Sequence, residues 1–399
     1  MERGARSRLG LVDAGPAAPV RVLIALACLL ACVVTGACGR ADRSDSKSGP
    51  VATIGLASAG QLGAGSVNVY AAAGAGQLSP VVRGDPALVY GPNSQSDTVD
   101  VIDQHSFKVV SHYPVGALPQ HVTPSYDLRT LYVDNDASNS LTPIDPRTGR
   151  PRGGPIPVAD PYNMYFTPDG RYAIVVAEAL RRLDFRDANT MRLHRSLPVP
   201  GCAGVDHMDF SADGRYLYAS CEFAGRMIQV DVRRQQLVRT LTLSGGTASP
   251  QDVRLAPDGR LLYVADQAGG GVWELDPQRF RVIGFLHTGL GAHGLYPSRD
   301  ARLLYVTNRA EGSVSVLDFA TRRVLGRWRI PGSASPDMGG VSADGSTLWL
   351  SGRYNAEVYA IDTHTGRLRA RIPVGLGPHG LCVWPQPGRY SLGHTGITR

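Results

Sequence analysis

The stretch LYVTNRAEGSVSVLD, Leu304–Asp318, decides the fold. A short apolar run led by Tyr305 is followed by a Gly-containing turn. A second run, in which apolar and polar residues alternate, then ends in Asp318. Alternation with a period of two is the signature of a half-buried strand, so the stretch reads as a β-hairpin. Thirteen residues separate Tyr305 from Asp318. The same offset joins Tyr90 to Asp103, Tyr132 to Asp145, Ile174 to Asp187, Tyr218 to Asp231, Tyr263 to Asp276 and Trp349 to Asp362. Successive anchors lie 42, 42, 44, 45, 42 and 44 residues apart, which makes the hairpin one unit of an internal repeat.

Each unit contains four strands. The anchor run and the run ending in Asp are two of them. After a turn such as PRTGR or THTGR comes a third (KVVSHYPV, RLRARIPV). The fourth starts at a Gly/Pro loop (PQHVTP, PQDVRLAP, AHGLYPS) and turns through PDGR or ADGR into the next anchor. Asp-Gly supplies the positive-φ residue that a tight hairpin requires. The Asp that closes each hairpin precedes a turn, where a carboxylate bonds nearby backbone N–H groups. These seven Asp are therefore read as structural. Four-stranded units repeated about every 43 residues specify a β-propeller, here with seven blades. The chain ends in an unpaired copy of the fourth strand, PHGLCVW. It is expected to become the innermost strand of the first blade and so close the ring. Unit three, YAIVVAEALRRLDFRD, departs most from the pattern, lacking both the Tyr and the Gly/Asn loop.

The hairpin resembles the repeat of the YVTN-family (YncE-like) seven-bladed β-propellers, found in secreted and surface proteins of bacteria and archaea. The resemblance runs over about residues 90–385. It implies an all-β fold and no particular activity, because the family shares neither a reaction nor a catalytic set, and fold alone does not license function.

The N-terminus reads as an address. Arg3, Arg6, Arg8 and Arg21 precede a 13-residue apolar run, Val22–Val34, too short to span a bilayer comfortably. Basic flank, short apolar core and small residues make an export signal. The ending Thr35-Gly36-Ala37-Cys38 resembles a bacterial lipobox, with Thr35 where a leucine-like residue is usual. The expected arrangement is a lipoprotein-type signal over residues 1–37, a lipidated Cys38 beginning a polar tether over 38–65, and the propeller over 66–399. Acyl chains would hold the protein to the outer side of the cell membrane without a spanning helix. A secretory signal cut nearby is the alternative. The 28 tether residues Gly39–Ser66 have a root-mean-square reach of roughly 30 Å.

Composition narrows the partners. The net charge of +7 is spread along the chain without a basic block or interleaved aromatic residues, which argues against nucleic acid. Of six cysteines, Cys28 and Cys32 leave with the signal. Cys202 and Cys221 flank the turn SADGR and are a disulfide candidate, which export permits; small buried hydrophobes are the alternative reading, and the one given to Cys382. No CxxCH haem-attachment motif, paired CxxC, GxSxG elbow, P-loop or HExxH occurs.

Function is sought at the channel mouth, where the innermost strands begin. The first position of these seven strands reads Gln120, Tyr162, Asp206, Gln251, His293, Asp337 and His379. The next reads His121, Asn163, His207, Asp252, Gly294, Met338 and Gly380. His121, His207, His293 and His379 are spaced by 86 residues, two blades each time. The flanking loops add Asn93, Asn135, Glu178, Glu222, Asp266, Asn308, Arg309 and Arg353. Polar residues here either hold channel water or seat a ligand or cofactor. Imidazole suits transition metals and haem iron, with His293 and His379 the candidate ligands, and arginine suits anions. Three expectations follow: a membrane-tethered binding or scaffolding protein for a protein or small-molecule partner; a haem- or metal-binding propeller with a redox role; and a lactonase-like hydrolase holding a divalent cation through Asp206, Asp252, Asp337 and Asn135.

Overall fold

A computed structural model describes residues 68–399. The expected signal, Cys38 and the tether lie outside them. Seven antiparallel sheets follow one another along the chain. Blade 1 holds Leu88–Asn93, Thr98–Asp103 and Lys108–Pro114, and Cys382–Trp384 completes it by pairing with Leu88, Val89 and Tyr90. The C-terminal copy of the repeat therefore closes the ring as its innermost strand. Among the described residues no helix is long and apolar enough to cross a membrane.

The seven closing Asp are structural. Asp103, Asp145, Asp187, Asp231, Asp276, Asp318 and Asp362 each accept a backbone N–H from two or three residues further on. The blades are held face to face by seven apolar clusters, one at each junction. The junction of blades 7 and 1 packs Trp349, Val358 and Ile372 against Val89, Ile102 and Val383, so closure is apolar as well as hydrogen-bonded. The three inner strands of most blades are buried almost throughout, while outer strands such as Arg323–Arg329 alternate between exposed and half-buried.

Blade 3, built on the most divergent unit, is a regular four-stranded sheet. Its strands need only alternation and apolar packing, which Tyr172–Ala177 and Arg182–Asp187 retain. The irregular blade is the second. Its outer strand breaks into Arg150–Pro151 and Ile156–Pro157, because prolines lack the N–H that a ladder needs.

Two segments outside the repeat cover the end of the channel where the inner strands finish. Residues 68–87 add no strand to a blade. They run across this end, with Tyr70 Oη donating to the Leu255 carbonyl and Gly76 N to that of Ala343. The tail over 385–399 lies beside them: Gly388 N donates to Gln77 O, and Phe166 N to Leu392 O. Gly393 passes so close to blade 3 that a Cβ there would meet Met164 O at 2.4 Å, with φ at 96°. Only glycine fits.

Candidate functional site

At the other end the inner strands begin irregularly. In blades 2, 4, 5, 6 and 7 the register with the second strand shifts within the first few residues, between Pro119 and His121, Val205 and Met208, Pro250 and Val253, Ala292 and Leu295, and Pro336 and Gly339. A regular strand sends consecutive side chains to opposite faces, and a bulge re-aims them. Both registers therefore reach the channel. His121, from the second position, meets Tyr162 and His379, from the first, at ring-centroid distances of 5.3 and 4.8 Å.

The result is a core of imidazoles. His121 lies 5.5 Å from His207, His207 lies 6.1 Å from His293, and His293 lies 6.2 Å from His379. A fifth ring, His394, enters from the tail and stands 4.5 Å from His207 and 5.2 Å from His121. All five are buried. Burial holds each well below the usual imidazole range; His121 is pushed down to about 3 despite its bond to the Tyr162 carbonyl, with Arg353 adding to the effect. The rings are neutral, as metal ligation requires. Two groups bring ligand atoms within 4.8 Å of one another: His121, His207 and His394; and His293, Asp337 and His379.

The two groups differ in what their nitrogens already do. Asn163 accepts from Met164 N, so its amide nitrogen is the donor to His207 Nδ1 at 2.9 Å and His394 Nδ1 at 3.2 Å. In the second group, His379 Nδ1 donates to Gln120 Oε1 at 3.0 Å, which leaves the lone pair on Nε2. That nitrogen faces Asp337 Oδ2, another acceptor, at 3.6 Å. His293 Nδ1 lies 3.2 Å from Asp337 Oδ1 and 3.0 Å from Met338 Sδ. Arg309 also binds Asp337, at 3.0 Å, and Arg353 stands 3.9 Å from it.

Above the imidazoles the second strands end, and the next residue of each blade turns to the mouth, four past its anchor. In blade order these are Ser94, Asp136, Glu178, Glu222, Gln267, Arg309 and Arg353. Blades 2–4 thus give an acidic arc and blades 6 and 7 a basic one. Burial, then Glu222 and Asp136, raise Glu178 to about 8. Burial raises Glu222 too, against the Gln251 amide and the two arginines. Asp206, beneath this arc, is pushed well up, by burial first and then by Glu222 and Glu178. No well-aligned hydrogen bond reaches either of its carboxylate oxygens, although His207 Nε2 lies 3.2 Å away and the Tyr162 hydroxyl counters part of the rise.

Several candidates prove to be scaffold. Asn93, Asn135 and Asn308 turn their amides into their own blades, to Thr98 and Asp100, to Ser140 and Thr142, and to Ser313 and Ser315. Asp266 accepts from Ser249 N and Trp273 Nε1. Asp252 pairs with Arg254 at 3.1 Å and takes the backbone N–H groups of Val253 and Leu295. With Asp252 and Asn135 committed in this way, the four residues expected to hold a lactonase cation do not converge. His293 and His379, the expected haem or metal ligands, lie 6.2 Å apart ring to ring, both beside Asp337. Cys202 and Cys221 form a disulfide that staples the start of the inner strand of blade 4 to the end of its second strand, beside Glu222; Cys382 is buried and free. The reading by strand position missed His394, which lies outside the repeat. It also missed Asp136 and Gln267, which stand one residue past Asn135 and Asp266.

A family model described as a YNCE-like β-propeller matches residues 50–387. No functionally curated protein matches the chain. Among solved structures it is similar to hydrazine synthase of Kuenenia stuttgartiensis, at 19% identity and a TM-score of 0.59, covering 72% of this chain and 98% of that one. It is also similar to a putative 6-phosphogluconolactonase from Bacteroides uniformis, at 17% identity and a TM-score of 0.61, covering 75% and 99%. Dihydro-heme d1 dehydrogenase NirN, in complex with DHE, matches at 16% identity with a TM-score of 0.56, covering 74% of each chain. At these identities the likeness is one of fold.

Proposed function

The chain belongs to the YNCE-like β-propeller family, and from that premise we propose that it is a binding protein taking a small polar ligand at the channel mouth. We further propose that a lipid on Cys38 holds it to the outer side of the cell membrane. One observation carries the binding reading. The closing Asp is repeated in all seven blades, whereas the position four past each anchor changes around the ring: it runs Ser, Asp, Glu, Glu, Gln, Arg, Arg. A scaffold position keeps its chemistry from blade to blade; a recognition position does not need to. The tail and residues 68–87 cover the far end, so a ligand enters on this side. Isothermal titration of the mature protein against a panel of polar metabolites tests the reading. Saturable binding that Arg353→Ala weakens at least tenfold is expected; turnover that His293→Ala and His379→Ala abolish would overturn it in favour of an enzyme. For the anchor, labelling with radioactive palmitate should mark the wild type and not Cys38→Ala.

A second reading has its own support. His379 Nε2 and Asp337 Oδ2 are two buried acceptors face to face, with His293 and the Met338 thioether beside them. Imidazole with thioether suits a soft transition ion, and Gln120 fixes the tautomer as outer partners of metal-bound histidines do. Arg309 and Arg353 oppose a cation there. Metal analysis of protein from its native envelope decides: about one ion per chain, lost in His379→Ala, supports a metal centre, and a metal-free protein leaves the group as the floor of the mouth.

A further inference from the structure

We infer that the ligand is a small zwitterion, with its cationic group over Asp206, Glu178 and Glu222 and its anionic group against Arg309 and Arg353. This rests on the binding reading above and deepens it. The acidic half is more than a cluster of surface carboxylates. Asp206 is 1% exposed, and neither of its oxygens receives an aligned hydrogen bond. Its neighbours His207 and Tyr162 are neutral, so ionising this buried carboxyl is costly, and an ammonium group delivered to it would offset that cost. Arg254, the buried cation of the next blade, is already engaged with Asp252 and the Leu295 carbonyl.

The basic half has the opposite deficit. Two guanidinium groups converge on the single carboxylate of Asp337. Arg309 is further held by Gln267 Oε1, but the NH1 nitrogen of Arg353 is buried without a partner. Two guanidinium groups thus share one carboxylate at contact distance, and a guanidinium fork is the shape that receives a carboxylate in two parallel bonds. Tyr162 interacts electrostatically with Asp206 and with Arg353, while Tyr354, next to Arg353, lies 69% exposed with the Arg309 guanidinium 5.6 Å from its ring centroid. An anion alone would leave Asp206 without a cation, and a cation alone would leave the NH1 nitrogen of Arg353 without an acceptor. A molecule with both groups satisfies both.

The test is isothermal titration of the mature protein with glycine, β-alanine, γ-aminobutyrate, δ-aminovalerate and lysine. The matched diamines, dicarboxylates, monoamines and monocarboxylates are titrated beside them. At least one amino acid of the series should bind at least about tenfold more tightly than every single-signed analogue, since a hydrogen bond to a charged group is worth roughly that factor or more. Arg353→Gln should remove the preference for the carboxylate and Glu222→Gln the preference for the amine, with thermal melts confirming that each variant folds. A diamine or dicarboxylate binding as tightly as the best zwitterion, and sensitive to either substitution, overturns the inference and leaves the binding reading standing. Binding that survives both substitutions, or no binding across the series, overturns both.

Discussion

The two ends of the channel use polar residues in opposite ways. At the covered end the buried charges are paired. Arg399 meets Asp209 at 2.9 Å, and Arg254 meets Asp252. Arg299 donates to the carbonyls of Val341 and Ser342 and to Gln386. At the mouth, His121 Nε2, both oxygens of Asp206, Asp337 Oδ2 and Arg353 NH1 are buried without a hydrogen-bond partner. Native structures satisfy nearly all buried polar groups, and the exceptions ask for an explanation. One end is built for stability, and on the proposed binding reading the other keeps its polar groups for a ligand. Substitutions of charged groups should therefore destabilise at the covered end and be tolerated, or even stabilise, at the mouth.

The largest effect is expected from deleting residues 388–399. It exposes the pockets of Leu392 and Ile397 and strips Asp209 of its arginine, which should cost at least about 5 kcal/mol in a denaturant melt. Arg254→Met leaves Asp252 buried without its cation and should cost about 3–5 kcal/mol. At the opposite end, replacing Cys202 and Cys221 together with Ala opens a link between residues 19 apart, worth roughly 3 kcal/mol. A larger loss for the disulfide than for the tail would break the comparison. Asp206→Asn, by contrast, should raise stability by about 1 kcal/mol, because it removes a buried carboxyl that receives no aligned hydrogen bond and has only the neutral His207 and Tyr162 beside it.

Acid and base should act on different groups. The channel histidines have folded pKa values below the unfolded value of 6.5, so unfolding takes up protons and stability falls as pH drops from 6.5 toward about 3. The raised carboxyls work against this down to their own unfolded values, which leaves the steepest loss at the acid end. His121→Gln should shallow that limb by about one proton. Glu178 has the opposite sign. Its folded value of about 8 lies above the ordinary 4.5, so its contribution is full below 4.5 and lost as pH rises to 8. Glu178→Gln should therefore melt about 2 °C above the wild type at pH 8 and level with it near pH 4.

Most of the scaffold was legible because it repeats. Tyr305 to Asp318, counted seven times, fixed blade number, strand order and the closing role of Cys382–Trp384. What the sequence hid does not repeat or does not alternate. Bulges let His121 and His379 share one space although they occupy different strand positions, and a period-two reading cannot foresee that. His394 comes from a tail with no counterpart in the repeat. Asn135 and Asp136 are neighbours of similar chemistry, yet one braces its blade and the other joins the rim; only the position of the strand end separates them.

The pairing of Cys382–Trp384 with Leu88–Tyr90 also governs the order of events during synthesis. The first blade made is the last one finished, because its innermost strand is encoded nearly three hundred residues after its neighbour. Until then Leu88–Asn93 keeps an open sheet edge, a template for pairing with any other extended chain. A ribosome that stalls just after blade 7 leaves six complete sheets and one adhesive one, so quality control of this protein would act on a single exposed edge.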